Sequence, residues 1–165
     1  MRIGVFICQC GTNIAATVDT EAVAHKALEY PDVVYATDYT YTCSEPGQQE
    51  IQEAIQKHDL QGVVVAACSP RMHEVTFRRA VEKAGLNRYM FEQANIREHC
   101  SWISKDTEAN TRKAIDLVRM SVEKLRFNHP LFSSQVPINK LFVSADALFK
   151  ETSEQLEKLT DSTTA

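Results

Sequence analysis

The run GVVVAAC over residues 62–68, stopped by Ser69-Pro70, constrains this chain more than any other stretch. Val63, Val64 and Val65 are β-branched and no polar residue interrupts them, so the strand they form must be buried on both faces. Such strands belong to parallel sheets; an antiparallel strand with one wet face alternates apolar and polar residues. Pro70 cannot continue a ladder, and a helical pattern begins soon after it. A buried parallel strand needs neighbours, and those are reached by crossover connections that are usually helices.

The rest of the chain supplies both. RIGVFIC (2–8), VVYATDY (33–39) and RYMFEQA (88–94) read as strands one, two and four around strand three (62–68). Helical periodicity fills the gaps over 19–30, 44–59, 73–85 and 106–127. Asp19 and Ser44 stand at N-cap positions, Gly85 stops the third helix, and Ile115, Val118, Val122 and Leu125 line one side of the fourth. The pattern predicts an α/β fold: a Rossmann- or flavodoxin-like parallel sheet of four strands, five if the tail adds one, with helices on both faces. Right-handed crossovers and the strand order 2-1-3-4 are expected, with the ligand crevice between strands one and three.

This α/β domain is expected to occupy residues 1–127, followed by a linker and extension over 128–165. The linker NHPLFSSQVPINK (128–140) carries two prolines. LFVSADALFKETSEQLEKL (141–159) reads as a short strand and a helix from Asp146, and 160–165 reads as frayed. Its apolar start suits a fifth edge strand or a docking element for a partner.

With 44% hydrophobic and 24% charged residues the composition is that of an ordinary soluble globular protein. A net charge of -4 gives no electrostatic reason to expect nucleic acid or an anionic membrane as partner. No apolar run approaches the roughly 20 residues of a membrane span. The opening MRIGVFICQCGTN lacks the pattern of a signal peptide and reads as a first strand, so a cytoplasmic protein is expected. Disulfides are not expected there, and the five cysteines are odd in number.

Those cysteines share one kind of position. Cys8 and Cys10 follow strand one, Cys43 follows strand two, Cys68 ends strand three and Cys100 lies in the loop after strand four. Their spacing matches neither paired CxxC nor a bacterial ferredoxin run. Carboxyl ends of parallel strands lie along one edge, and strands are about 4.8 Å apart, so sulfurs distant in sequence can converge. Soft thiolates suit zinc or an iron–sulfur cluster rather than magnesium or calcium. A four-thiolate cluster carries net negative charge. Helix N-termini after the strands, with Arg71 and Arg97, would compensate it. Any one of these thiols alone reads as core filler; all five at strand ends read as a metal site.

At these loops the sequence resembles a known family. CQCGTNIAATVD, YTCSEPGQQEIQEAI, VVVAACSPRMHEVTFRRAVEKAGLN and ANIREHCSW resemble the N-terminal domain of the heterodisulfide reductase A subunit (HdrA), over roughly residues 1–130. That family contains FAD and iron–sulfur proteins of anaerobes, working in flavin-based electron bifurcation or related soluble complexes. The resemblance implies a cluster at Cys43, Cys68, Cys100 and the CxC pair. A [4Fe–4S] cluster needs four protein ligands, and the expected set is Cys10, Cys43, Cys68 and Cys100. Cys8 is the alternative to Cys10, because it falls inside the first strand's ladder while Cys10 sits beside Gly11. The resemblance also marks a departure. Where the family enters a glycine-rich FAD loop, this chain reads VPINKLFVSADALFKE, without glycine. A turn that brings backbone onto a pyrophosphate needs glycine, so no FAD is expected in this chain. The family's flavin and ferredoxin domains are expected to be missing.

The function expected is therefore that of an electron-transfer subunit with one [4Fe–4S] cluster and no substrate of its own. Flavin or iron–sulfur subunits of a heterodisulfide-reductase-like complex are the expected partners. Two other readings use the same thiols: a zinc-stabilised interaction module, and a redox pair of Cys8 with Cys10. His99 and His73 are expected to serve local structure, Trp102 to be buried in the core, and Arg78 and Arg79 to form a solvated helix face. SPRMHE lacks the glycines of a nucleophile elbow, and no HExxH or Ser-His-Asp order is present.

Overall fold

The computed structural model describes residues 1–134. The expected strand at 141, the helix from Asp146 and the glycine-free stretch from Val136 lie outside the described residues. Four strands, β1 (Ile3–Cys8), β2 (Val33–Tyr39), β3 (Gly62–Ala67) and β4 (Phe91–Asn95), form one parallel sheet in the order β2-β1-β3-β4. Helices α1 (Thr20–Ala27), α2 (Glu45–His58), α3 (Pro70–Lys83) and α4 (Thr107–Arg126) alternate with them. A π-helical turn over Arg97–Ser101 follows β4. The fold class and strand order are those the sequence implies.

The two central strands β1 and β3 are buried along their whole lengths, which is why their sequences do not alternate. Their residues nonetheless divide by face. Ile3, Val5, Ile7, Val64 and Ala66 pack in one apolar layer with Val23 and Ala27 of α1 and Ala114, Val118, Val122 and Leu125 of α4. Phe6, Cys8, Val63, Val65 and Ala67 pack in the other with Ile51 and Ile55 of α2 and Phe77 and Val81 of α3. Each large apolar side chain taken out of water contributes about 1.5–3 kcal/mol before the entropy of ordering it is subtracted.

Element boundaries moved for local reasons. Helix α3 starts at Pro70 rather than at 73, because proline fits the first helical position and Ser69 Oγ caps Arg71 N at 3.4 Å. Strand β4 begins at Phe91 rather than 88, because Asn87 Oδ1 accepts from Tyr89 N at 2.9 Å and Asn87 O from Met90 N at 2.9 Å, which folds 87–90 into a turn. Helix α1 ends at Ala27, short of the expected 30. Among the described residues, no helix is long and apolar enough to cross a membrane.

Candidate metal centre

The order β2-β1-β3-β4 places the reversal of chain direction across the sheet between β1 and β3, and the crevice of such sheets opens at the carboxyl ends there. Cys8 is the last residue of β1 and Cys68 the first after β3, so both stand at that point. All five cysteines are free thiols.

The loop after β1 is bent by two consecutive left-handed residues, Cys10 (φ 50°) and Gly11 (φ 60°). For Cys10 this conformation is strained, and such strain persists only where the surroundings hold it. They do so here. Gln9 N donates to Tyr39 O at 2.9 Å and Gly11 N to Thr40 O at 3.1 Å, which stitches the loop to the one after β2. A side chain at Gly11 would meet Tyr41 Oη at 2.5 Å. The β2 loop brings Cys43 to the start of α2, where Ser44 Oγ accepts from Gly47 N at 3.3 Å. Two glutamines hold the backbone at the thiol positions: Gln48 Nε2 donates to Cys43 O and Gln93 Nε2 to Cys68 O, each at 2.9 Å.

Electrostatic neighbours define the group. Burial raises the Cys43 thiol above its ordinary value, and the adjacent Cys8 and Cys10 thiols add to the rise. Burial pushes the Cys68 thiol up to about 11, with Arg97 pulling the other way and Glu98, Cys10 and Cys43 adding to the rise. Cys8, Cys10, Cys43 and Cys68 thus share one locality, and Arg97 stands among them with its Nη1 3.6 Å from Cys10 Sγ.

Cys100, expected as a ligand, is placed differently. It is fully buried in the apolar layer under α1 and α4, together with Ile14, Ala114 and Val118. Burial raises its thiol too, but the charged neighbour it meets is Lys113 and not another cysteine. Cys8 and Cys43 belong to the layer on the opposite face, and Cys10 touches both.

Other expected residues are sorted by contact. Trp102 is 60% exposed rather than buried: its ring lies over the Arg97 guanidinium at 4.7 Å, and its Nε1 donates to Asn13 Oδ1 at 3.4 Å. The π-helical turn carries it outward. Arg79 is solvated as expected, but Arg78 is not. It donates to Glu74 Oε1 and to Arg88 O at 2.6 Å and lies over the Phe91 and Tyr89 rings. Arg71 and His99 are exposed, and His73 packs edge-on against Phe77. Sequence reasoning missed Gln48 and Gln93, which follow Cys43 by five residues and Cys68 by 25; no motif marks either.

Soft thiolates suit zinc or an iron–sulfur cluster. Among the described residues no three His, Cys, Asp or Glu side chains close around a single metal position. Thr42, beside Cys43, is buried with its Oγ1 unpartnered among the described residues, a free donor of the kind sulfide-rich groups accept.

The described residues thus form an α/β sheet with four thiols near one another at its carboxyl edge. No family model matches the chain. The second iron-sulfur A subunit of CoB–CoM heterodisulfide reductase from Methanopyrus kandleri is 58% identical over 138 residues, 83% of this chain and 21% of that protein. The A subunit of the H2:CoB-CoM heterodisulfide,ferredoxin reductase of Methanothermobacter marburgensis is 56% identical over 139 residues, 84% of this chain and again 21% of that protein. The A subunit of the ferredoxin/F420H2-dependent CoB-CoM heterodisulfide reductase of Methanosarcina acetivorans is 53% identical over 128 residues, 77% of this chain and 16% of that protein. The chain is a partial relative of the heterodisulfide reductase A subunit, spanning about a fifth of the length of the relatives it matches.

Proposed function

We propose that this chain holds one [4Fe–4S] cluster on Cys8, Cys10, Cys43 and Cys68 and acts as an electron-transfer component of a heterodisulfide-reductase-like complex. The observation that carries the reading is the gathering of these four thiols at the switch point of the sheet, supported by relatives named as iron-sulfur subunits. Three of the four are common to the set expected from sequence. The proposed set takes Cys8 in place of Cys100, since Cys8 is an electrostatic neighbour of Cys43 while Cys100 packs in the apolar layer with α1 and α4 and meets no other thiol among the described residues. When bound, the cluster supplies one-electron redox chemistry. The protein supplies everything else: thiolates fixed by Gln48 and Gln93, the start of α2 and α3 beside the ligands, and Arg97 as counter-charge.

The partners proposed are flavin- or iron–sulfur-bearing subunits, since a lone carrier is useful only near another redox centre. The exposed Trp102 and Ile103 flank the thiol edge and would meet such a partner there.

Anaerobic purification followed by iron and sulfide counting tests the reading directly. Four irons and four sulfides per chain are expected, with an electron paramagnetic resonance signal on one-electron reduction. One zinc per chain and no sulfide would establish the interaction-module reading instead. Loss of iron from the Cys8→Ala protein alongside retention in Cys100→Ala supports the ligand set; the reverse outcome restores Cys100.

A further inference from the structure

Arg97 is the cation most tightly built into the thiol edge, and three independent contacts fix it. Its Nη2 donates to Glu98 Oε1 at 2.8 Å, its guanidinium lies 4.7 Å from the centre of the Trp102 ring, and its Nη1 donates to Cys10 Sγ at 3.6 Å. The side chain retains only 15% of its exposure. A charge held this firmly in a water-poor site acts more strongly than a surface one. The arrangement has a physical logic. Glu98 orients the fork and is itself held by an amide hydrogen bond, its N donating to Asn95 Oδ1 at 3.1 Å. Trp102 covers the outer face of the guanidinium. One edge is left to address sulfur.

From this we infer that Arg97 is a positioning residue that sets the reduction potential of the centre, by placing a permanent positive charge and a donor against Cys10 sulfur. The inference rests on the cluster reading above. Adding one electron to a four-thiolate centre makes it more negative, with no bond formed or broken. A fixed neighbouring cation stabilises the reduced form more than the oxidised one, so it raises the potential. Removing it must lower the potential. The ion pair with Glu98 limits the effect without cancelling it, because the guanidinium and not the carboxylate touches the sulfur.

The experiment is a mediated redox titration, followed by electron paramagnetic resonance, of the whole chain and its Arg97→Gln and Arg97→Lys variants. Iron and sulfide are counted in each sample. Arg97→Gln is expected to keep its iron and sulfide while the reduced-to-oxidised ratio at fixed potential falls about tenfold, which is about 59 mV for a one-electron couple. Arg97→Lys keeps the charge, loses the fork geometry, and is expected to recover most of that fall. A full cluster in Arg97→Gln with unchanged potential overturns the inference and leaves the cluster reading standing. So does equal loss of cluster in both variants, which would make Arg97 a structural support of the loop. A wild-type chain that retains no iron and sulfide overturns both.

Discussion

The two ends of the same four strands are built on opposite plans. At the amino end, charges are paired. The N-terminal ammonium and Arg126 Nε both reach Asp32, at 3.2 and 2.9 Å, Arg126 Nη1 also reaches Glu123 at 2.9 Å, and Arg2 Nε donates to His58 O at 2.9 Å. At the carboxyl end, Cys10 is strained, Thr42 Oγ1 and Glu98 Oε2 lack partners among the described residues, and raised thiols crowd together. Backbone strain does not separate the two edges: Asp32 (φ 70°) before β2 and Asp59 (φ 50°) before β3 are left-handed too, and Arg88 Nε before β4 is also buried without a partner among the described residues. The difference between the edges is chemical: the amino edge carries paired charges, and the carboxyl edge carries neighbouring thiols with raised values beside one arginine.

The largest effect that would break this comparison comes from the ligands. Cys43→Ala and Cys68→Ala are each expected to abolish iron and sulfide retention, while Asp32→Asn at the opposite edge leaves both at the wild-type level. Colorimetric iron and sulfide assays on anaerobically purified proteins decide it. Retention by the Cys43 variant would remove the functional reading of the carboxyl edge. Cys100→Ala sharpens the contrast within the set. It leaves a small cavity in a dry apolar layer, costing about 1 kcal/mol in chemical denaturation, with iron content unchanged.

Glycines at the two edges extend the comparison to stability. A side chain at Gly47, in the first turn of α2, would meet Tyr41 O at 2.5 Å and Thr42 Cα at 2.7 Å, both of them backbone. One at Gly62, which opens β3, would meet Leu125 Cδ2 at 2.9 Å, the end of a side chain. Backbone cannot turn aside; a leucine rotamer can adjust. Gly47→Ala is therefore expected to cost about 3 kcal/mol and to lower cluster retention by shifting Cys43, and Gly62→Ala to cost about 1 kcal/mol and spare the cluster. Urea midpoints measured beside iron content test both, and equal costs would contradict the distinction.

How much of this could be read from sequence follows from what each residue's signal depends on. The parallel sheet was legible because Val63, Val64 and Val65 admit few other homes, and the cap residues Asp19 and Ser44 act within three residues of themselves. The nearness of Cys10, Cys43 and Cys68 was legible because strand ends in a parallel sheet must share an edge. The placement of Cys100 was not. A π-helical turn has no strong sequence signature, and that turn decides which face of the sheet the sulfur enters. Trp102 was misjudged for the same reason: its size argues for burial, but the turn carries it outward onto Arg97. Arg78 looked solvated because its partners Arg88 O and the Phe91 ring come from elsewhere in the chain.

The smallest effect belongs to the amino edge and concerns acid. Hydrogen bonds from Arg126 and the N-terminus hold the Asp32 carboxyl below its ordinary value of 3.8. A carboxylate whose folded value is depressed stabilises the fold fully above its unfolded value, and that contribution disappears as pH falls toward the folded one. Asp32→Asn should thus lower the urea midpoint slightly at pH 7, and the difference should shrink as pH falls below about 4, so that wild-type and variant curves converge on acidification. The pair is exposed, so added salt should shrink the difference at pH 7. Convergence toward neutral pH instead would show that Asp32 is stabilised in its protonated form, and the amino edge would lose its description as a set of satisfied ion pairs.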